Sequence, residues 1–321
     1  MEFESQRAGE RRTEFEGFHG STGCPSCVSK RILLFEEILR EYCYPDMGVV
    51  AELREGANLV GDVAASMLPF KFTPSIVSVD AMRMQSSMRR DSILAEASGS
   101  GDDKIDNGVW DKTMEECNLG WLQGPIPLKE VPSDAPISRR FGLKQKHKVR
   151  MIDDFTESSV NQAVTVFESP RLHTIDVACA LVFFSAMKMS GQQCSLKART
   201  FDLSSAYRQV AVSPEGRKYQ VRAVKKSCHA ALRGTVPKMA GCAFFRWWSF
   251  MFGAIKSVHF FLRLARAIWW LGTVACSLMW SSFVDDYTVF STLELVRSNE
   301  LTATALFRLL GWAFEGTHAV C

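Results

Sequence analysis

Two segments of this chain end apolar, strand-like runs on carboxylates. In "RTFDLSSAYRQVAV", residues 199–212, Thr200, Phe201, Asp202 and Leu203 read as a strand end, and Val210 and Val212 alternate into the next structured piece. In "SSFVDDYTVF", residues 281–290, Asp285 and Asp286 sit between two short runs rich in β-branched and aromatic residues, a strand, tight turn, strand pattern. Strands distant in sequence can be neighbours in one sheet, which would bring Asp202 and Asp285 close together. Like charges so placed repel, and a half-buried carboxylate cluster is costly unless a cation neutralises it. Hard oxygen ligands suit Mg²⁺ or Mn²⁺. Two such ions about 3.5–4 Å apart can activate an attacking hydroxyl and stabilise a leaving pyrophosphate oxygen in phosphoryl transfer. The plainer reading of Asp285 and Asp286 is a solvated hairpin turn, because Asp is favoured in turns.

Composition narrows the setting. With 321 residues, 47% of them hydrophobic, the chain can bury a substantial core and divide into about two domains. A formal net charge of +3 is too small to identify a partner, so any nucleic-acid signal must come from local clustering. Ten cysteines at irregular spacings, with no cleavable signal ahead of them, predict free thiols in a reducing compartment, cytoplasmic or nuclear. Cys24 and Cys27 have zinc-ligand spacing, but no second pair follows at zinc-finger distance. The uncharged run "AIWWLGTVACSLMWSSFV", Ala267–Val284, reaches the lower length limit of a membrane span. Gly272, Ser277, Ser281 and Ser282 dilute it, and two aspartates close it, which favours a buried helix followed by a buried strand and no membrane.

Along the chain, residues 1–27 read as a polar lead-in. "VSKRILLFEEILREY" from Val28 has the face pattern of a helix, and a weaker helical region spans Ala81–Ala97. "SGSGDDKIDNG" reads as the main linker. Four prolines between Pro125 and Pro136 mark an extended passage, and apolar helices are expected over 173–190 and 254–272.

The company these motifs keep resembles the reverse transcriptases. "FVDD" is similar to the family's Y/F-x-D-D signature, and "FDLSSAYRQV" to its strand-end motif D-[apolar]-x-x-A-[YF]. Upstream, "KVRMIDDFTESSVNQAV" resembles a fingers segment, with Arg150, Asp154, Phe155 and Asn161 in matching places. "FMFGAIKSVHFFLRLAR" resembles the stretch that opens the long palm helix, and "LFRLLGWAFEG" the segment leading to the primer side. The likeness covers roughly residues 109–316, in the family's order. Met251 and Val258 stand where the family has prolines, which implies a differently shaped loop, and Asn161 sits two residues later than in the tightest form of its motif. Residues 220–248 do not read as the expected hairpin.

The resemblance implies an α+β right-hand polymerase core: fingers over 109–200, a palm over 201–321 with an antiparallel sheet backed by helices, an N-terminal extension over 1–108, and a thumb largely missing. It implies Asp202, Asp285 and Asp286 as catalytic and metal-holding residues, with Asp286 in a supporting role. Arg150 would contact the triphosphate, Tyr207 would exclude a 2′-hydroxyl, and Phe252 and Gly253 would line the floor beneath the nucleotide. Alone, Tyr207 reads as a core aromatic and Gly253 as a helix boundary.

From Arg139 to Arg150, "RRFGLKQKHKVR" holds six Lys and Arg in twelve residues and no acid, which marks Arg139, Arg140, Lys144, Lys146 and Lys148 as phosphate contacts. A second stretch runs from Arg222 to Lys238, and the pair Trp247-Trp248 could stack on bases. The expected activity is RNA-directed DNA synthesis from dNTP on a primed RNA or DNA template, with Mg²⁺ or Mn²⁺. The alternative is a truncated, noncatalytic remnant that only binds nucleic acid. The oligomeric state is not legible.

Overall fold

The computed structural model describes residues 29–63, 70–96, 100–145, 148–168, 172–188, 195–225, 241–315 and 318–320, and these form a mixed α+β protein. Helices α1 (Ile32–Glu41) and α2 (Gly48–Glu55) come first, then the short strands β1 (Gly61–Asp62) and β2 (Phe70–Thr73). Helices α3 (Val79–Glu96) and α4 (Asp103–Asn118) lead into β3 (Leu122–Ile126), β4 (Ile137–Gln145), β5 (Lys148–Asp154) and β6 (Val164–Glu168). Then come α5 (Ile175–Lys188), β7 (Leu196–Asp202), β8 (Val221–Lys225), β9 (Cys242–Trp247) and α6 (Ile255–Val274). The hairpin β10 (Trp280–Phe283) and β11 (Asp286–Thr292), helix α7 (Val296–Leu310) and β12 (His318–Val320) complete the described chain.

Three sheets result. β3-β9-β8-β4-β5 is a five-stranded mixed sheet in which only β4 and β8 run parallel. β10-β11-β7-β12 is fully antiparallel, and β1-β6-β2 is a small third sheet. Alternation along the second sheet follows from its one-sided burial. Phe201 of β7 faces Tyr287 of β11, and both are buried with Phe307 of α7, at 5.9 and 5.2 Å between ring centroids. Thr200 and Thr288 take the opposite face, their hydroxyls 2.9 Å apart.

α6 lies beneath this sheet because it is apolar almost all round. It carries two basic side chains into the interior: Lys256, whose Nζ donates to the Val60 carbonyl at 3.1 Å, and Arg263, whose Nη2 and Nε each lie 2.7 Å from an Asp46 oxygen and which also pairs with Glu52. Residues from α1 and α2 thus share one core with the helix, from Phe35 and Leu39 through Leu264 and Trp312. Gly272, in the last turn of α6, sits against the Trp280 indole: a Cβ there would fall 1.9 Å from Cζ2. The indole Nε1 donates to the Trp269 carbonyl at 3.0 Å, and the Trp269 Nε1 donates back to the Trp280 carbonyl at 2.9 Å.

One expectation changes here, that of a linker, while the reading of residues 267–284 as a helix followed by a strand holds. The stretch taken as the main linker is in large part a helix start: Asp102 caps α4, its side chain accepting from Lys104 N at 2.8 Å. The boundary expected at 108/109 therefore falls inside α4, and the described core residues before it pack in clusters shared with later elements. The uncharged run from Ala267 breaks into α6 and β10, joined by a turn with Ser277 at φ 53. Among the described residues no helix is long and apolar enough to cross a membrane. Cys24, Cys27, Lys146 and most of the second basic stretch lie outside the described residues.

Candidate active site

Register brings the aspartates together. Asp202, the last residue of β7, is the direct partner of Asp286, the first of β11. Cross-strand partners share a face, with Cβ atoms about 4.5–5.5 Å apart. Asp285 occupies the two-residue loop between Phe283 and Asp286, after Val284 at φ 57. A β-branched residue in that region carries strain of roughly 1–3 kcal/mol, held here by the hairpin on either side. The turn is tied to β7, because Leu203 N donates to the Asp285 carbonyl at 3.1 Å. Burial raises the Asp285 carboxyl above its ordinary range and the charge of Asp286 adds to this, with its own backbone N–H opposing. Burial raises Asp286 likewise. Among the described residues no group of three or more His, Cys, Asp or Glu side chains is set as a metal cluster. The three carboxylates supply the oxygen chemistry that a hard divalent cation takes, and a cation beside them would relieve the upward pressure on Asp285.

Beyond Asp202 the chain turns through Ser205, at φ 50, into a 3-10 turn over Ala206–Gln209. This buries Tyr207, whose ring lies 4.3 Å from Phe252 and 4.8 Å from Phe261. Burial and then the nearby Asp285 charge push its hydroxyl up. Gln209, to which the sequence gives no role, grips this turn. Its Nε2 donates to the Ser204 and Ala313 carbonyls, both at 2.8 Å, and its Oε1 accepts from Ala313 N at 2.9 Å and Lys30 Nζ at 2.6 Å. Glu315 N also donates to the Asp202 carbonyl at 2.8 Å. The segment 313–315 thereby fixes the strand end that carries Asp202.

A cleft of about 640 Å³ adjoins the turn, and Arg150, Tyr207, Phe252 and Gly253 all line it. Arg150, Lys148 and Phe252 are exposed. Gly253 is at φ 94, and a Cβ there would lie 3.0 Å from the Asp153 carbonyl, so the 251–253 loop comes this near to β5 only with glycine. Asn161 holds the same loop from the other side: Nδ2 donates to the Gly253 carbonyl at 2.8 Å, and Oδ1 accepts from Ile255 N at 2.9 Å. Two motifs some ninety residues apart thus meet through one amide. Met251 is buried, its sulfur 3.1 Å from Arg222 Nη2.

Under the cleft lies a buried ion network that the basic spacing alone did not reveal. Glu116 accepts from Arg140 at 2.7 and 3.2 Å, from Arg208 at 2.8 Å and from Trp247 Nε1 at 3.2 Å. Burial would raise Glu116, but the Arg208 and Arg140 charges and these bonds bring it down to about 2. Asp153 sits 3.9 Å from Arg140 Nε and 3.6 Å from Arg222 Nε. Arg222, stacked 4.2 Å over Phe155, is lowered to about 9 by burial, against the pull of Asp153.

Arg140 is therefore corrected from a phosphate contact to an interior cation, since its guanidinium is engaged by Glu116. Arg222 and Trp247 are likewise interior rather than nucleic-acid facing. Arg139 pairs with Glu157 at 2.5 Å. Lys144 and Lys148 are exposed on β4 and β5. Neither a protein-family model nor a curated protein matches the sequence.

Proposed function

We propose that the chain is the fingers and palm core of an RNA-directed DNA polymerase, a reverse transcriptase that joins dNTP to a primer 3′-hydroxyl. The observation that carries this reading is the register of β7 against the β10–β11 hairpin, which sets Asp202 opposite Asp286 with Asp285 in the turn, beside a cleft lined by Arg150 and Tyr207. On this reading the antiparallel sheet is the palm and the five-stranded sheet the fingers, so that β8 and β9, which fall within the range expected as palm, belong with β3–β5 instead.

Asp202 and Asp285, with Asp286 supporting, would hold Mg²⁺ or Mn²⁺, which supplies charge neutralisation at the phosphate and lowers the pKa of the attacking hydroxyl. The chain's own residues position the reactants. Arg150 and Lys148, exposed at the rim, meet a triphosphate arriving in the cleft. Tyr207, fixed between Phe252 and Phe261, presents an immobile aromatic edge to the sugar and so favours a deoxynucleotide. Gly253 lets the floor approach β5, and Asn161 keeps it there. With no covalent nucleophile among these groups, rate enhancement comes from orientation and preset electrostatics.

A second reading, a noncatalytic remnant that binds nucleic acid, is favoured by one observation: the described carboxylates are not grouped as a three-ligand metal cluster. Primer extension on an RNA template with Mg²⁺ separates the two. Incorporation that disappears in Asp285→Ala supports the polymerase; a folded protein that binds primed template but extends nothing supports the remnant.

A further inference from the structure

The likeness to reverse transcriptases begins near residue 109, yet a side chain from the first described residues reaches the candidate active site. Lys30 lies two residues ahead of α1. Its Nζ donates to Gln209 Oε1 at 2.6 Å and to the Gly311 carbonyl at 2.7 Å, and stands 4.3 Å from the centre of the Trp312 ring. The backbone on either side is tied to the same place: Arg31 N donates to the Leu310 carbonyl at 3.2 Å, and Ser29 Oγ to the Gly311 carbonyl at 3.3 Å. Gly311, at φ 78, admits this segment, since a Cβ there would fall 1.9 Å from the Ser29 carbonyl oxygen. Part of this is helix chemistry. Leu310 and Gly311 close α7, and a cation at a helix C-terminus satisfies its open carbonyls.

The contact with Gln209 goes beyond a cap. Lys30 Nζ and Ala313 N are both donors and both meet Gln209 Oε1, so the amide oxygen has to face them. Nε2 is thereby turned toward the Ser204 and Ala313 carbonyls, each at 2.8 Å. A flipped amide would set its NH₂ group against two donors. The two segments that this amide joins are those that hold Asp202: Ser204 N donates to the Ala313 carbonyl at 3.1 Å, Leu203 bridges to Phe314, and Glu315 N donates to the Asp202 carbonyl at 2.8 Å. Tyr207 lies on the same 3-10 turn as Gln209. We infer that Lys30 is a positioning residue of the active site, acting through Gln209 to hold the 203–209 turn and, with it, Asp202 and Tyr207. What the turn does follows from the polymerase reading, on which this role rests; what holds the turn does not. Residues outside the polymerase-like region thus supply part of the geometry of the site.

Hydrogen exchange of the full chain, read by mass spectrometry over peptides spanning 199–212 and 311–316, tests the hold without reference to activity. Lys30→Met should speed exchange over 199–212 roughly tenfold, the factor that one charge-assisted hydrogen bond represents. Gln209→Met should do at least as much, and the double variant should exchange no faster than Gln209→Met alone, because the two side chains act as one device. Effects that add assign Lys30 to capping α7 alone and overturn the inference, as does unchanged exchange over 199–212. Lys30→Leu serves the same comparison should Lys30→Met fail to fold by circular dichroism. In primer extension, Lys30→Met should lower kcat about tenfold and leave KM for dNTP within about twofold of wild type, because the turn places Asp202 while Arg150 and Lys148, which meet the triphosphate, lie on another strand. A wild-type kcat in a variant whose turn exchanges faster overturns the role. A wild-type chain that extends no primer removes the polymerase reading instead, and the exchange measurements still decide whether Lys30 holds the turn.

Discussion

Two carboxylate environments lie close together in this molecule and are built on opposite principles. Glu116, under the cleft, is surrounded by Arg140, Arg208 and the Trp247 N–H, and its pKa falls to about 2 despite burial. Asp285 and Asp286, at the hairpin turn, are both raised by burial, and the Asp286 charge adds to the cost of ionising Asp285. The first carboxylate is neutralised by the fold itself. The second pair keeps a demand for positive charge that a ligand can meet from outside. On the proposed reading, stability and function rest on different acids, and substitutions should separate them.

The sharpest separation is expected at Asp285. Asp285→Ala should reduce primer extension by at least about 10³-fold while leaving the thermal midpoint within a few degrees of wild type, measured by gel-resolved extension and by circular dichroism. An equal loss of fold and activity would erase the contrast. Glu116→Gln should do the reverse, costing roughly 3–5 kcal/mol because two buried guanidinium groups lose their counter-charge; urea denaturation reads this directly. Gly253→Ala comes next. The positive φ and the 3.0 Å approach to the Asp153 carbonyl predict a loss of roughly 1–3 kcal/mol, together with a raised KM for dNTP and a smaller change in kcat. A KM unaltered in a folded variant would remove the 251–253 loop from the nucleotide site.

The smallest effect is a dependence on pH that differs in sign between the two environments. A depressed carboxyl such as Glu116 contributes stability that is present above its unfolded value of 4.5 and is lost as pH falls toward about 2. For Asp285 and Asp286, raised above 3.8, the contribution is present below 3.8 and is lost as pH rises through their folded values. Asp285→Asn should therefore raise the thermal midpoint by a few degrees at pH 7 and leave it unchanged near pH 3. Mg²⁺ should produce a rise at pH 7 in wild type and none in the variant.

What could be read from the chain divides along the same line. The strand end at Asp202, the hairpin at Val284 and Asp285, and helices α1, α3, α5 and α6 are written in local alternation and periodicity, which the sequence carries in full. The partners of long polar side chains are not local. Arg140 reads as one of six Lys and Arg in a stretch of twelve residues, and nothing nearby signals Glu116 on another element, 24 positions earlier. The span containing Asp102 reads as a linker because Gly, Ser and Asp serve turns and helix caps alike; the N-cap followed by Lys104 and Ile105 was the signal for α4. Asn161 and Gln209 act through backbone groups remote in sequence, so their identity alone gives no hint of what they hold.

The contact between Gly272 and Trp280 carries its effects away from itself. Trp280 begins the strand whose far end turns at Asp285, so a methyl group at 272 would displace the base of a rigid rod rather than one ring. The hairpin works as a lever, and its fulcrum is a glycine outside the carboxylate cluster. Random mutagenesis scored only for catalysis should therefore recover hits at 272 that mimic damage to the aspartates, although no atom there touches a reactant.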